Sequence, residues 1–384
     1  MTRTIYLDGN SLGPPMPGVV ERLRRFVEEE WATDLIGGWN EHRWWDLPLA
    51  VGEQIAPLVG AAPGQVVVAD STTVLLYKLL VAALRARPGR PWIVTHEANF
   101  PTDRHVIDAV ADQCGARVEA VPASEMAAAL CDGTAVVCAT HVDYRSGVRL
   151  DMAELTAAAH DAGALMLWDL SHSTGAMDLY VDRDDVDLAV GCTYKYLNGG
   201  PGAPAFAYVA ERLQGELDQP VRGWVGHAAP FTMDERYAPA SGIRRLLSGT
   251  PPVLSLVALS TALEAFRDVD LGELRQQSLA LTDRFIELAD ERLAAHGFSV
   301  VTPRERTQRG SHVSLAHDHA YEVIQAAIAT GVVGDYREPG LCRFGFAPLY
   351  LTVDDVDEAV DRLVDLMERG DWQAPEHAVR NTVT

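Results

Sequence analysis

Short apolar runs recur along the first half of the chain, and helical segments separate them. Runs of four to six mostly apolar residues have the length and composition of buried strands. They cover residues 65–69, 92–95, 117–121, 134–139, 164–168, 188–192 and 204–209. The intervening segments predict helices over residues 46–60, 74–87 and 151–163. This alternation predicts an α/β fold in which helices cover both faces of a mostly parallel sheet.

The pattern changes after residue 209. Residues 220–252 are rich in loops, and apolar residues at helical spacing then predict long helices over 253–266 and 271–296. The remainder predicts a small α+β unit with three strands (298–301, 312–315, 341–346) and two helices (321–330, 353–368), followed by a frayed tail from 371. We therefore expect an N-terminal arm and helix (1–40), a large domain (41–270) and a small C-terminal domain (271–384) joined by the helix 271–296.

Composition narrows the classes of function. The 384 residues carry a net charge of −22, which argues against nucleic acid or an anionic membrane as a partner. The five cysteines show no CxxC spacing, and neither an apolar signal segment nor a membrane-length run is present, so we expect a cytoplasmic protein with free thiols. No cysteine or carboxylate at ligand spacing accompanies His312, His317 and His319, so we expect no metal.

Polar residues stand at the ends of two apolar runs that follow each other along the chain. Asp169 and His172 follow the fifth run, and Tyr194 and Lys195 follow the sixth. Open α/β sheets bind ligands at the carboxyl ends of their strands. A lysine for a Schiff base and an acid for a pyridinium nitrogen are what pyridoxal phosphate (PLP) requires of a protein. The spacing therefore indicates a candidate PLP site.

A second candidate feature lies where the first run meets its helix. Asp70, Ser71, Thr72 and Thr73 join them, and the free N–H groups of a helix N-terminus together with hydroxyl groups suit a phosphate. Simple N-capping by Ser or Thr is the alternative. Neither the P-loop motif nor the dinucleotide-binding motif accompanies this feature.

Several other residues are open to two interpretations. Phe100 follows a strand and either stacks on a ligand ring or belongs to the core, and Asp103 is one of the residues that can cap the next helix. The aromatic segment 36–45, which contains Trp39 and His42, is either a core plug or a pocket wall. Arg343 in the last strand is either an ion-paired edge residue or a carboxylate fork. The arm over residues 1–20 reads as irregular, and either caps the domain or reaches the site.

The chain resembles the kynureninase family of PLP-dependent hydrolases, within the aminotransferase-like fold type I superfamily. The similarity runs from near residue 6 to about residue 350. Its carriers are the sequences YLDGNSLGP (6–14), NFPTD (99–103), WDLSHS (168–173), VGCTYKYLNGGPGAPAF (190–206), RGWVGH (222–227), GIRRLLSGTPPVL (242–254) and RFGFAPLY (343–350). The resemblance implies PLP fold type I, with a large domain and a small C-terminal α+β domain.

The resemblance also implies roles for single residues. Lys195 would bond to the cofactor and move the Cα proton, Tyr194 would act as an acid or base, and Arg343 would hold the substrate carboxylate. Cofactor contacts are implied for Thr72, Thr73, Phe100, Asp103, Thr140, Asp169, His172, Tyr194, Lys195, Trp224 and Thr250. Trp224 and Thr250 would serve the partner's site, so a homodimer with shared active sites is implied.

The implied reaction is cleavage of the Cβ–Cγ bond of L-kynurenine to anthranilate and L-alanine, in tryptophan catabolism. Trp39 and Gly249 match the kynurenine-preferring bacterial type, whereas His42 departs from it and could serve a ring substituent. Three alternatives stay open: a relative acting on a 3-hydroxylated or otherwise substituted kynurenine, another fold type I lyase or aminotransferase, and a PLP-binding protein without catalysis.

Overall fold

A seven-stranded sheet forms the centre of the large domain. The computed structural model describes residues 3–381. The strands of this sheet are β2 (Val66–Ala69), β3 (Trp92–His96), β4 (Arg117–Val121), β5 (Thr134–Thr140), β6 (Leu165–Asp169), β7 (Leu188–Gly191) and β8 (Ala205–Val209). Their order is β2-β8-β7-β6-β5-β3-β4, and β8 alone runs antiparallel to its neighbours. All seven predicted strands are present, and the α/β prediction is confirmed.

Apolar side chains cover both faces of this sheet. Alternate residues of one strand enter two different cores: Met166 and Trp168 point into one, and Leu165 and Leu167 into the other. A strand buried on both faces must be apolar at every position, which is why these strands appear as continuous apolar runs. The α-helices are α1 (Val19–Arg25), α2 (Ala32–Asp34), α3 (Gly38–Glu41), α4 (Leu47–Val59), α5 (Thr72–Ala86), α6 (Pro101–Cys114), α7 (Met152–Asp161), α8 (Glu211–Gln214), α9 (Val253–Leu263), α10 (Leu271–Leu288), α11 (Ala320–Ala329) and α12 (Val353–Arg369).

The C-terminal region contains a four-stranded antiparallel sheet in the order β12-β13-β10-β9. These strands are β9 (Ser299–Val300), β10 (His312–Ala316), β12 (Asp335–Arg337) and β13 (Leu341–Gly345). One face of the sheet packs with α10, α11 and α12 in a third apolar core. The other face carries polar side chains, because residues alternate between faces along a strand. The linking helix α10 thus belongs to the core of the C-terminal region, while the domain boundaries at residues 40 and 270 remain predictions.

The N-terminal arm differs from the irregular segment expected from its glycine and proline content. Ile5–Tyr6 form strand β1, which pairs in parallel with β11 (Val332–Val333). Ile5 and Leu7 are buried in the third core, and the amide of Gly345 donates to the carbonyl of Leu7 at 2.7 Å. Two strands of two residues each leave too short a pattern for sequence periodicity to reveal.

The prediction of a frayed tail from residue 371 is wrong for the described part, which ends at 381. Two short 3-10 segments, Asp371–Gln373 and Pro375–Ala378, lie against α11. The Tyr321 hydroxyl donates to the carbonyl of Val379 and accepts from the amide of Asn381, both at 2.8 Å. This buried tyrosine holds the tail in place. Residues 3–381 contain no helix with the length and hydropathy needed to cross a membrane.

Candidate active site

The parallel register of β5, β6 and β7 brings their carboxyl ends to one edge of the sheet. Thr140 lies opposite Asp169, and Asp169 lies opposite Val190 near the end of β7. Lys195 follows β7 on a short loop, and its Nζ lies 5.9 Å from the centroid of the Phe100 ring. The same Nζ lies 5.9 Å from the Tyr194 ring. An amine, a carboxylate and two aromatic rings therefore meet at this edge.

Asp169 and Asp103 form a buried pair of carboxyl groups. Asp169 is 4% exposed, and its Oδ1 accepts hydrogen bonds from the amide (2.9 Å) and the hydroxyl (2.6 Å) of Ser171. Burial, and then the negative charge of Asp169, hold the pKa of Asp103 well above its ordinary value. Like charges at close range cannot both ionise in a dry site. Asp103 is therefore the member of the pair that holds its proton more tightly.

The expectation that Asp103 or its neighbour caps helix α6 is wrong. The N-cap is Phe100, with Pro101 as the first helical residue and no side-chain cap. Proline tolerates this position because the first N–H of a helix has no intrahelical partner. Asp103 is free to turn inward to Asp169, and Phe100 makes an edge-to-face contact with Tyr144 at 5.1 Å while remaining half-buried.

Two neutral histidines stand beside the amine. His172 is buried, its Nδ1 has no hydrogen-bond partner in residues 3–381, and its ring lies 5.3 Å from that of His312 on β10. Burial, followed by the positive charge of Lys195, holds the pKa of His172 well below its ordinary value. Burial, followed by the charge of Arg343, lowers the pKa of His312 to about 3. An unpartnered imidazole nitrogen in this place is available to a ligand.

Helix α5 begins close to the lysine loop. Ser71 is its N-cap and accepts from the amide of Val74, so the capping interpretation is confirmed. In the first turn, Thr72 is half-buried and Thr73 is exposed. The amide of Ala205 donates to the carbonyl of Asp70 at 3.0 Å, which ties the helix start to the segment that leads away from Lys195. The cap does not exclude an anion, since a helix start has several free N–H groups.

Arg343 lies on the polar face of the C-terminal sheet and is ion-paired as one interpretation expected, although β13 is an inner strand and not an edge. Its role as a carboxylate fork stays a prediction. Its Nε and Nη2 donate to the two oxygens of Asp335 at 2.7 and 2.5 Å, and its Nη1 donates to the carbonyl of Tyr144 at 2.6 Å. Arg337 also donates to Asp335, at 2.5 Å. Two guanidinium groups face Asp335, and Asp8, whose pKa is raised to about 7, is the second carboxyl of this network. The excess positive charge is therefore partial near neutral pH, and it suits a carboxylate ligand.

The N-terminal arm completes this ionic network. The hydroxyl of Ser11 donates to Asp335 at 2.8 Å and accepts from Arg343 at 2.8 Å and from Arg337 at 3.2 Å. Two residues on, the amide of Gly13 donates to the carbonyl of Tyr194 at 2.7 Å. The arm thus reaches the site, joining the arginine pair to the lysine loop.

Two positions in the arm show how closely it fits the site. A Cβ atom on Gly13 would lie 2.3 Å from the carbonyl oxygen of Lys195, so only glycine fits. Burial, and then the charge of Asp335, raise the pKa of Asp8 to about 7.

A second group of predicted residues lies around the aromatic segment 36–45. Trp44 is a buried core plug, whereas Trp39 and Trp45 line a cleft of about 480 Å³ together with Trp224. In the described chain His42 is engaged elsewhere: its Nε2 lies 2.7 Å from the Asp34 carboxylate. The core interpretation is therefore confirmed for Trp44, and the pocket-wall interpretation stays a prediction for Trp39.

Two more members of this second group lie on the surface. Gly249 and Thr250 are exposed, and a Cβ atom added to Gly249 would meet no atom within 4 Å. None of the hydrogen bonds or ring contacts described for the second group involves Lys195.

The residues around Lys195, Asp169 and Arg343 form a first group, and the sequence analysis did not single out four of its members. They are Ser11, Tyr144, Asp335 and Arg337. Asp335 and Arg337 alternate with Tyr336 in a three-residue strand, which is the one local signal that they share a face. Ser11 and Tyr144 lie in loops, where no periodicity marks them.

The first group offers a fixed set of chemical functions. It holds an amine, an ionised carboxylate, a stacking ring, an unpartnered imidazole nitrogen, a helix N-terminus and an arginine pair. These functions fit a planar cationic ring that carries an anionic substituent and a reactive carbonyl, next to a second ligand that carries a carboxylate. Among residues 3–381, no cluster of three or more histidine, cysteine or acidic side chains has the geometry of a metal site.

The carboxyl pair makes a prediction about stability. The folded chain holds the Asp103 proton more tightly than an unfolded chain, whose carboxyl has its usual pKa of 3.8. The contribution of the Asp103 proton to the free energy of unfolding therefore declines as pH rises above about 4. Asp103→Asn cannot ionise, so we expect its cofactor-free form to melt about 2–4 °C above the native protein near pH 8 and at the same temperature near pH 4. Asp108→Asn, exposed on the same helix, is the control, and an offset that does not vary with pH would contradict the shared proton.

Comparison with known proteins places the chain in a family. The profile of the Kynureninase C-terminal domain matches residues 274–363. A kynureninase from Pseudomonas fluorescens is 47% identical over 99% of this chain and 93% of its own length. A kynureninase from Burkholderia pseudomallei is 46% identical with the same coverage.

Solved structures with the same fold are more distant in sequence. A cysteine desulfurase from Thermococcus onnurineus NA1 superposes with a TM-score of 0.79 at 18% identity, covering 95% of each chain. A C-DES variant with glycine covalently linked to its PLP cofactor gives 0.79 at 16% identity, covering 94% of this chain and 96% of its own. These likenesses establish the fold type I architecture alone. The identity to the curated relatives over nearly the full length is decisive, and this chain belongs to the kynureninase family.

Proposed function

We propose that this protein is a PLP-dependent hydrolase that cleaves the Cβ–Cγ bond of L-kynurenine to give anthranilate and L-alanine. One observation carries the proposal beyond family membership. The amine of Lys195, the charged carboxylate of Asp169 and the arginine pair at Arg343 converge on one site. The reaction consumes one water and belongs to tryptophan catabolism.

The cofactor fits the first group of residues. Asp169 would hold the proton on the ring nitrogen, Phe100 would stack on the ring, and His172 would use its free Nδ1. The N-terminus of α5 at Thr72 and Thr73 would hold the phosphate. When bound through Lys195, PLP supplies an electron sink for negative charge that develops at Cα of the substrate.

Charge directs the orientation of the substrate. Arg343 and Arg337 share one carboxylate, Asp335, and would take the α-carboxylate of the amino acid as a second anion. With that end fixed, Cα faces the Lys195 amine, which would remove the Cα proton once released from the cofactor. The Ser11 hydroxyl, already bonded to Arg343, would hold the same end of the substrate in place.

Tyr194 would move the proton at the side-chain carbonyl. Burial, followed by the charge of Cys192, raises the pKa of this phenol above its ordinary value, so it carries its proton at neutral pH. A phenol in this state donates to the carbonyl oxygen as water adds to the carbonyl carbon. Cleavage of the Cβ–Cγ bond would then release anthranilate. Cβ would take up a proton that derives from the added water, and Lys195 would return the Cα proton before alanine leaves.

Trp39 and Gly249 favour kynurenine itself as the substrate. A tryptophan wall offers no acceptor to a 3-hydroxyl group, and an apolar pocket rejects an added hydroxyl only weakly. Turnover of 3-hydroxykynurenine at a lower rate is therefore expected. His42 is bonded to Asp34 within the chain, so a contact with a ring substituent would require it to leave that carboxylate.

In a homodimer, the second group of residues would lie at the subunit interface. Large apolar side chains are exposed around two clefts: Trp31, Leu35, Ile36 (83%), Trp224, Phe231 (70%) and Leu254. Apolar patches of this kind on a folded chain indicate an interface. Trp39, Trp224, Gly249 and Thr250 would then serve the partner's site. Free, mostly buried thiols suit a reducing compartment such as the cytoplasm.

The cysteines do not favour a desulfurase reaction. Such a reaction needs a thiol beside the lysine, and the two exposed thiols, Cys114 and Cys131, precede β4 and β5. They lie at the amino ends of parallel strands, whereas Lys195 lies at the carboxyl edge. Of the three buried cysteines Cys192 lies near Lys195, but burial raises the pKa of its thiol, which disfavours the thiolate that such a reaction needs.

The lysine assignment predicts a coloured protein. Native protein loaded with PLP should show a visible absorbance band that borohydride abolishes. Lys195→Ala should lose that band and at least about 10³-fold in turnover, because it lacks both the covalent link and the base. Anthranilate and alanine are quantified from L-kynurenine. Native protein that holds PLP but releases neither product would refute the proposed reaction.

The tryptophan wall predicts a shift in substrate preference. Trp39→His introduces a hydrogen-bonding group, so the ratio of kcat/KM for 3-hydroxykynurenine to that for kynurenine should rise about tenfold or more. Trp39→Phe keeps an apolar ring and should leave the ratio near the native value. An equal ratio in all three proteins would mean that Trp39 does not face the substrate ring.

A further inference from the structure

Lysine is almost absent from this chain. Of its 32 basic residues 30 are arginine, and the two lysines are Lys195 and Lys78. Lys195 requires an amine for its proposed chemistry. Lys78 takes no part in the site as described so far, and in an otherwise arginine-based chain its ammonium group needs a separate explanation.

Lys78 is buried in the middle of helix α5. Its side chain is 0% exposed, and its Nζ donates to Asp70 Oδ2 at 2.5 Å and to the carbonyl of Leu246 at 2.9 Å. A buried ammonium is costly unless it is paired, so these two acceptors determine what Lys78 can do. A compact ammonium reaches both from inside the core, where the wider planar guanidinium of arginine would need more room.

The carboxylate that Lys78 holds belongs to a left-handed turn. Asp70 joins β2 to α5 with a φ of 47°, a conformation that, glycine apart, is adopted mainly by aspartate and asparagine. Its carbonyl accepts from the amide of Ala205 at 3.0 Å, and its carboxylate is held by Lys78. The turn is therefore fixed from two sides, and it sets the direction in which Thr72 and Thr73 present their amides.

The pair also sets the charge at the start of the helix. Unpaired, the Asp70 carboxylate would repel an anion at the N-terminus of α5. The ammonium of Lys78 cancels that charge, so the positive end of the helix dipole acts on the anion without opposition.

The second acceptor connects the turn to a distant segment. Leu246 ends a 3-10 segment, Gly242–Leu246, that leads to Gly249 and Thr250. The carbonyl of Ser248 accepts from the amide of Val225, next to Trp224. One ammonium thus joins the helix start to the segments that carry the residues expected at the partner's phosphate.

We propose that Lys78 is a positioning residue that builds the phosphate seat, by neutralising Asp70 and by fixing the first turn of α5 against the Leu246 carbonyl. The inference rests on the proposed cofactor site. It assigns to the second lysine an effect on phosphate affinity that a residue serving packing alone would not have.

The test compares ligands with and without a phosphate. Cofactor-free Lys78→Met is titrated with PLP, with unphosphorylated pyridoxal and with inorganic phosphate, and absorbance or calorimetry gives each Kd. We expect the Kd for PLP and for phosphate to rise about ten- to a hundredfold, because the Asp70 carboxylate then faces the anion without an ammonium group to neutralise it. The Kd for pyridoxal should stay within about twofold of the native value, since that ligand uses Lys195 and the ring contacts alone.

A double variant and a matched control sharpen the result. Lys78→Met combined with Asp70→Asn removes the repelling charge, and asparagine tolerates a left-handed φ, so the part of the lost phosphate affinity that is due to charge should return. Arg85→Met removes an exposed cation from the same helix and should change no Kd. Equal losses for PLP and pyridoxal, or no loss for either, would overturn the proposal.

A further variant covers the case in which Lys78→Met does not fold. Asp70→Asn alone keeps a side-chain oxygen that accepts from the Lys78 ammonium, so the turn stays held while the negative charge is gone, and phosphate should bind at least as tightly as to the native protein. Weaker phosphate binding by Asp70→Asn would overturn the proposal. All of these experiments measure binding, and none of them measures turnover. Native protein that binds PLP but leaves kynurenine intact would therefore refute the proposed reaction without touching the role of Lys78.

Discussion

The parallel pairing of β5, β6 and β7 decides where every reactive group of this chain lies. Parallel strands end at the same edge of a sheet, so Thr140, Asp169 and the lysine loop meet there although β5 and Lys195 are more than fifty residues apart. Both faces of these strands are buried, and a one-residue slip would exchange the residues of two apolar cores. The same burial that holds the register also excludes water from Asp169. The electrostatic interactions of its carboxylate are stronger in that environment than in water.

Charges are distributed around that edge so that few of them go unpaired. Burial, and then the neighbouring Asp169 carboxylate, raises the pKa of Asp103, and burial, with cations nearby, lowers the pKa values of His172 and His312. The excess positive charge that remains near Lys195 is the arginine pair around Asp335. The site is thus set to accept an anionic ligand at one end and a cationic ring at the other.

The N-terminal arm and the C-terminal sheet act as one unit. Strand β1 joins β11, the Leu7 carbonyl accepts from Gly345, and Ser11 enters the arginine network. Gly13 then touches the lysine loop. The arm therefore contacts both the arginine pair and the lysine loop.

The sequence by itself determined the strands of the large sheet, because each is apolar on both faces, and it determined the polar residues at their ends, because Asp169, Lys195 and the Ser71 cap are local signals. Only the tertiary structure decided the partners. Asp335 with Ser11, Asp103 with Asp169, and Lys78 with Leu246 join residues that are from 66 to 324 positions apart. Their meeting depends on how the arm, the helices and the two sheets pack, and no periodicity along the chain encodes that packing.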